Sequence, residues 1–431
     1  MLVCIACYVQ AERLKYAGKI GTAIQLIEQN YVEAIDPEEL YMAAMHGMVS
    51  KLDQFSEFIP PAKYKEFQAV IEQQFGGLGV LIEGPPNAKR LTVVTPIPGT
   101  PAFKAGLQPG DMIVEIAGES TEGVSATEAT RLMRGPVGES IQLKVSRMGV
   151  AEALIVDIKR ADIQVDSVYG DRILGDSSWN YFLEEDPRIA YIRVTLFGER
   201  TVDEFKRALR LIGKDAQALV IDLRYNPGGI LPTAVRMCDM LVDEGVIVST
   251  RGRDGILGVE LNSKRGVELD PSIPIVILVN DQSASASEIM AGCLQDLGRA
   301  KIGGGRSYGK GTVQQVFPLE NDQTALKFTT ARFYRPSGKN IHRLEKMTEQ
   351  DDWGITPDPE LAVPTTEVQD LYLNRRWYRR GDPRLTTATE RLPTPEYAGD
   401  PQLRRAATYL QQLLDRGSSA ETRVEVEQVG S

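Results

Sequence analysis

Apolar positions along the chain fall into four regimes. From residue 18 to about 72 they recur at three- and four-residue spacing, as in AIQLIEQNYV and LYMAAMHGMVSKL, which predicts amphipathic helices. Asp36-Pro37-Glu38-Glu39 adds a cap, a proline at the first helical position and acidic residues in the first turn. SKLDQFSEFIPP then breaks the pattern. Between 75 and 160 short β-rich runs (LGVLIEG, RLTVVTPI, DMIVEIAG, SIQLKVSRM, EALIVDIKR) alternate with turns and one helical piece, SATEATRLMR. From 161 onward the β-branched runs RIAYIRVTLF, ALVIDLRY and IPIVILVN alternate with the amphipathic TVDEFKRALRLIG, LPTAVRMCDMLV and SEIMAGCLQDLG. That alternation predicts an α/β layer around a buried sheet. Residues 311–365 return to strands, GTVQQVFPL and TALKFTTARFYRPSG. The chain after 366 reads as polar and proline-rich, with one late helix, PQLRRAATYLQQLLD, and a polar end expected to be mobile.

These regimes predict a multidomain α+β fold. It consists of an N-terminal helical region (1–72), a compact β domain (73–160), an α/β core with a mixed sheet (161–365) and a C-terminal polar segment with one helix (366–431). A length of 431 residues fits several cores rather than one. With 42% hydrophobic and 25% charged residues the composition is that of a globular protein. The formal net charge of -10 argues against nucleic acid as a partner, because phosphate contacts need clustered Lys and Arg.

Of the four cysteines, Cys4 and Cys7 form a C-x-x-C spacing, but no second pair or ligand histidine stands near them, which argues against zinc. Cys238 and Cys293 fall in apolar helical patterns, where a free thiol behaves as a small hydrophobe. The apolar run at 1–10 is too short to span a bilayer. It leaves two readings open: the remnant of a signal or anchor segment, or a buried first turn.

Candidate chemistry begins at Asn280-Asp281-Gln282-Ser283-Ala284-Ser285-Ala286-Ser287-Glu288, which follows an apolar strand and opens a helix. Such a junction exposes a nucleophile, and unpaired amides at the helix start face a developing oxyanion. The same letters, Ser285-x-x-Glu288, also spell a capping box with no catalytic role. A serine nucleophile needs a base. The chain offers His46, in the helical region, and His342, in the loop after PSGKN; neither sits in a second conspicuous motif, and a Ser–His hydrolase using His342 stays open. A lysine serves when burial brings its pKa toward neutrality, and Lys310, flanked by Gly309 and Gly311, is placed to enter packed structure. The bland alternative is a solvated loop lysine. Gly304 to Lys310 fits the letters of a phosphate-binding loop, but Gly311 stands where Ser or Thr would hold magnesium, and a strand follows where a helix must begin. Asn226-Pro227-Gly228-Gly229, after another apolar strand, reads either as a plain tight turn or as a second source of oxyanion donors.

In the β domain, Ile97-Pro98-Gly99-Thr100-Pro101-Ala102 followed by Ala105-Gly106-Leu107-Gln108-Pro109-Gly110-Asp111 resembles the core of a PDZ domain. Gly77-Leu78-Gly79-Val80 then matches the PDZ carboxylate-binding loop, in which glycine-rich backbone presents N–H groups to an anionic chain end and the next strand edge pairs with the peptide. Read in order, DLRYNPGG, VNDQSASASEIMAG, QDLGRA, GGGRSYGKGTVQ, TTARFYRPSGKNI and GITPD resemble the C-terminal processing (tail-specific) serine peptidases, over about residues 20–365. The resemblance implies a serine endopeptidase that captures a substrate's tail on the PDZ domain and cuts near the C-terminus. It assigns Ser285 as nucleophile and Lys310, 25 residues later as in the family, as base. Gln314 would orient the lysine amine, and the oxyanion donors would be the N–H of Ala286 and of either Gly228 or Gly229. No cofactor or metal is implied. The implied partners are proteins or peptides with free apolar C-termini, and a homo-oligomer through the N-terminal helices or an adaptor is left open. The implied location is the periplasm or cell envelope, with membrane anchoring through a truncated N-terminus and a cytoplasmic site both left open. The alternative of another class is an inactive PDZ scaffold of the same fold.

Overall fold

The computed structural model describes residues 2–85, 90–319, 323–383 and 399–429, which gather into two compact units. The smaller takes residues 1–67 and 313–331, the larger 68–312 and 332–431. In the smaller unit, helix Leu2–Asn30 is followed by helix Pro37–Val49, where Glu38 N donates to Asp36 Oδ1 at 2.8 Å and Pro37 opens the helix. No helix among the described residues is long and apolar enough to cross a membrane. The side chains of Cys4 and Cys7 lie outside the described ones.

The break at SKLDQFSEFIPP is a strand, Glu57–Ile59, paired antiparallel with Thr324–Tyr334 so that Phe58 faces Leu326. Phe58, Met45 and Val49 close a small core against Leu319 and Leu326. Residues 313–331 therefore pack with the N-terminal unit. Their partner strand lies far upstream, and local periodicity carries no information about pairing at that distance.

The β domain of the larger unit is an antiparallel sheet in the order Val80–Glu83, Thr92–Pro96, Met112–Ile116, Ser140–Ser146, Leu154–Lys159. Along Ser140–Ser146, Ile141, Leu143 and Val145 are buried at every second position, as a sheet with one face on a core requires. Helix Ala126–Met133 covers that core with Ala129 and Met133. The Pro109-Gly110-Asp111 turn is locked by the buried Asp111 carboxylate, which binds Arg147 at 2.7 and 2.8 Å and accepts from Gln108 N at 2.8 Å.

The α/β core is a five-stranded mixed sheet in the order Val168–Tyr169, Ile189–Val194, Ala218–Asp222, Ile275–Val279, Ala300–Gly304. The last four strands run parallel and the first antiparallel. Ala218–Asp222 and Ile275–Val279 are buried at every position, which explains why they read as continuous apolar runs. Helices Leu231–Asp239 and Ala286–Asp296 pack side by side, and Thr201–Ile212 lies next to the first of them.

The C-terminal segment departs from expectation. It carries a second helix, Glu367–Arg380, besides Pro401–Val429. The latter buries Leu403, Ala406, Ala407 and Leu410 on a sheet face formed by Ala218, Val220, Val276 and Leu278; each buried leucine contributes about 2 kcal/mol. Helix Glu367–Arg380 reads as polar because part of what it buries is guanidinium: Arg376 and Arg380 converge on the buried Asp171, Arg376 at 2.6 Å. The polar end expected to be mobile falls mostly on side chains outside the described ones.

A second buried charge cluster joins the tail to the sheet. Arg224 binds Asp222 through Nε at 2.9 Å and Nη2 at 2.6 Å, and Asp400 through Nη1 at 2.8 Å and Nη2 at 2.9 Å. Burial alone would raise the Asp400 pKa; the charge and hydrogen bonds of Arg224, with the Arg376 charge and the Leu403 N–H, together outweigh it and hold Asp400 below the ordinary 3.8. Stabilisation by this carboxylate is therefore complete above 3.8 and is lost as pH falls through the lowered value. Asp400→Asn is expected to cost about 3 kcal/mol at neutral pH, because Arg224 keeps only one buried counter-charge. Thermal melts against pH check this: the gap between wild type and variant narrows below about pH 4 as Asp400 protonates.

Candidate active site

Three turns meet at the C-terminal ends of the parallel strands. Ser283, Ser285 and Ser287 lie on the turn after Ile275–Val279. Ser283 and Ser287 are fully buried and their hydroxyls are committed to the neighbouring turn: Ser283 Oγ donates to Leu223 O at 2.8 Å, Ser287 Oγ to Asn226 O at 2.9 Å. Ser285 between them is only half-buried and has φ 56°, ψ -113°. A non-glycine residue at such a φ is strained and persists only where its surroundings hold it. The outer serines thus fasten the turn, and the middle one is presented, as in a nucleophile elbow.

The Asn226–Gly229 turn supplies the opposite wall. Asn226 is fully buried; its Nδ2 donates to Val194 O at 2.9 Å, and its carbonyl also accepts from Ala284 N at 3.1 Å. Gly228 N donates to Asn226 Oδ1 at 2.9 Å, so its N–H is already engaged. No bond to Gly229 N is present among the described residues, which favours Gly229 over Gly228 as the free donor of this turn. Gly228 has φ +103°, and a Cβ there would stand 2.8 Å from Ser285 Cβ and 3.0 Å from Ala286 N. Only glycine brings the turn this close to the serine and the first helical amide.

The third turn carries Lys310. The fully buried Glu288 carboxylate, three residues after Ser285, joins it to the serine turn. Its Oε1 accepts from Ser307 Oγ and Gly309 N, each at 2.6 Å. Its Oε2 accepts from Ser285 N at 2.8 Å and Lys310 N at 2.9 Å. One oxygen therefore bonds both backbone amides, so the two nitrogens are separated by no more than the sum of those distances. Burial pushes the Glu288 carboxyl above its ordinary value, and the four donors pull against that rise. The capping pattern that competed with the nucleophile in the sequence is real, and it is also what binds the two turns together. Its signal was S-x-x-E; that the glutamate serves a second turn was not legible.

His342 lies beside the lysine turn. Arg343 N donates to Gly309 O at 2.9 Å, and a Cβ on Gly311 would stand 2.6 Å from His342 N. His46 instead packs edge-on against Phe58 in the smaller unit, ring centres 5.4 Å apart. Gln314 is in that unit as well, donating from Nε2 to Thr329 Oγ1 at 3.1 Å.

In the β domain, Leu78 is buried and Gly79 has φ +74°, with a Cβ there only 2.3 Å from Thr100 Cβ. The Leu78 carbonyl accepts from Ala102 N at 2.8 Å and the Gly79 carbonyl from Ile97 N at 2.9 Å. In a trans peptide N–H and C=O point opposite ways, so the amides of Gly79 and Val80 face away from residues 97–102. Gly77 ends a short ladder opposite Ala161. Among the described residues no group of three or more His, Cys, Asp or Glu is placed to hold a metal ion.

A sequence profile described as peptidase family S41 matches residues 188–361, one described as a PDZ domain matches 92–147, and one described as the activating protease CtpB N-terminal domain matches 8–59. The carboxy-terminal-processing protease of Bartonella bacilliformis is 37% identical over 363 residues, covering 83% of this chain and 78% of that protein. The carboxy-terminal processing protease CtpB of Bacillus subtilis is 34% identical over 342 residues, covering 77% of this chain and 67% of that protein. Among solved structures, a photosystem II D1 C-terminal processing protease is 25% identical with a TM-score of 0.46, covering 85% of this chain and 97% of that one.

The Glu288 arrangement yields a prediction. Glu288→Gln puts an N–H where a carboxylate oxygen accepts two donors, and is expected to cost about 2 kcal/mol of stability. Displacing the serine and lysine turns by even 1 Å is expected to lower kcat by about 100-fold. Melting temperature and steady-state kinetics on a peptide substrate check both. A variant with full stability and full kcat would contradict this role.

Proposed function

Since the chain belongs to peptidase family S41, among the carboxy-terminal processing proteases, and is a serine-type peptidase acting on proteins, we propose that it works through a Ser285–Lys310 dyad on tails held by its PDZ domain. The observation that carries the reading is the shared Glu288 oxygen, which keeps the backbones of Ser285 and Lys310 adjacent. The Lys310 amine, in its unprotonated form, takes the Ser285 proton while Oγ bonds to the scissile carbonyl carbon. The carbonyl π pair moves to oxygen, and that oxyanion is met by the N–H of Ala286 and of Gly229. Collapse of the intermediate expels the amine, which takes the proton from the Lys310 ammonium, and leaves an acyl-enzyme. Water, deprotonated by the same amine, then hydrolyses the ester and restores Ser285. Gln314 is assigned the orientation of the amine from the family resemblance.

Tail capture is supported by the amides of Gly79 and Val80, turned away from residues 97–102 beside the free edge of strand Val80–Glu83. The preferred substrates are proteins with free apolar C-termini. Helix Leu2–Asn30 exposes Leu26 and Ile27, and Tyr31 and Val32 just beyond it are exposed too, which suits this arm to pairing with a second copy.

Incubation with an unfolded protein bearing an apolar tail tests the dyad. Ser285→Ala and Lys310→Ala are each expected to lose at least about 1,000-fold in kcat, while His342→Ala loses less than about tenfold. Equal losses at His342 and Lys310 would instead favour a Ser–His hydrolase. Mass spectrometry of proteins retained by Ser285→Ala reads the tail preference, and amidating the substrate's C-terminus is expected to slow cleavage.

A further inference from the structure

A cavity of about 400 Å³ lies in the larger unit between the outer face of the PDZ hairpin and the end of the core sheet. Leu81 and Thr95 form its PDZ wall; they are cross-strand partners and both line it. Their neighbours Val80, Ile82 and Val93 turn the other way, into the PDZ core. The opposite wall carries the aromatic rings of Tyr169, Trp179 and Trp377 together with Arg193.

Arg193 is an unusual cation. Its guanidinium lies 3.4 Å from the centre of the Trp377 ring and 5.9 Å from that of Tyr169. Its Nε is buried without a hydrogen-bond partner, and among the described residues no carboxylate pairs with it. The nearby acids are committed elsewhere: Asp222 to Arg224, and Asp171, which also lines the cavity, to Arg376 and Arg380. Asp166, on the same lining, is pushed toward its neutral form by burial and by the Glu204 charge, against the weaker pull of Arg200 and Arg207. Burial weighs against the Arg193 charge. A planar cation stacked on one face keeps its N–H edge available for a carboxylate.

We infer that this cavity reads the second-to-last residue of a captured tail and favours an acidic side chain there, with Arg193 as its counter-ion. The inference rests on tail capture by the PDZ domain. A peptide added to the free edge of Val80–Glu83 alternates its side chains as that strand does. The last residue, level with Val80, turns toward the PDZ core. The residue before it, level with Leu81, turns to the outer face, where Leu81, Thr95 and then Arg193 lie. The substrate class is thus an apolar chain end preceded by Asp or Glu.

Fluorescence anisotropy on the full chain carrying Ser285→Ala tests this with labelled decapeptides. The peptides share one apolar last residue, differ only in Glu, Gln or Lys before it, and are made as free acids and as amides. The Glu free acid is expected to bind at least tenfold tighter than the Gln one, and Lys weakest. Adding Arg193→Gln is expected to level Glu with Gln, whereas Arg193→Lys keeps the preference. Thr95→Glu, which places a carboxylate on the same face without disturbing the core, is expected to turn the order toward Lys and covers the case in which Arg193→Gln does not fold. Equal binding of the Glu and Gln free acids, with amides not bound, would leave tail capture standing and overturn the cavity's role. A Glu preference that survives both Arg193→Gln and Thr95→Glu overturns it too. Amides bound as tightly as free acids would remove tail capture itself, and this inference with it.

Discussion

The Glu288 carboxylate is the constraint on which the rest of the site depends. Two of its donors come from the lysine turn as main-chain N–H, one is the Ser307 hydroxyl, and one is the N–H of the strained Ser285. A buried carboxylate is costly unless its lone pairs are filled. Here the two turns fill them, and neither turn is regular structure that would hold its own amides in place. The four hydrogen bonds offset both the cost of burying the charge and part of the entropy lost in ordering two loops. That helps Ser285 stay at φ 56°: releasing it would take one of the two donors from Oε2 of a buried acid.

The Asn226–Gly229 turn is held from the other side of the sheet. Asp222 and Arg224 flank the end of strand Ala218–Asp222, and their ion pairs reach Asp400, immediately before the last helix. Arg224 fixes the start of the turn, Asn226 folds it back on itself, and Gly228 presses it against Ser285. The C-terminal segment, remote from the chemistry in sequence, is thereby coupled to the turn that would meet the oxyanion. Loss of the last helix is a loss of turn geometry and not only of buried leucine.

What the sequence discloses follows from how each part is held. The strands Ala218–Asp222 and Ile275–Val279 are legible because burial on both faces leaves unbroken apolar runs. The PDZ core is legible from its turn residues, such as the Pro109-Gly110-Asp111 lock. Ser285 is ambiguous alone because a capping serine and a nucleophile occupy the same position at a helix start. Its neighbours Ser283 and Ser287 are buried and spent on the next turn, which leaves Ser285 the one half-buried serine of the three. Helix Glu367–Arg380 is hidden because its buried face is partly arginine, and hydropathy counts arginine as solvent-facing. The pairing of Glu57–Ile59 with Thr324–Tyr334 is hidden because register between distant strands leaves no local period.

The spacing between Ser285 and Lys310 has a structural origin in the sheet. Strands Ile275–Val279 and Ala300–Gly304 are parallel neighbours, and Val279 is paired with Gly304. Ser285 and Lys310 stand equally far beyond those two residues, so their separation in sequence equals the register offset of the strands. That offset is set by helix Ala286–Asp296 and its short return to Ala300, the crossover that any parallel pair requires. A residue added to this crossover either slips the ladder, which turns every buried side chain of Ala300–Gly304 to the wrong face, or is absorbed as a bulge that shifts the lysine turn along Glu288. The sequence separation of Ser285 and Lys310 is therefore fixed by the packing of a five-stranded sheet, and the Glu288 carboxylate then ties the two turns together in space.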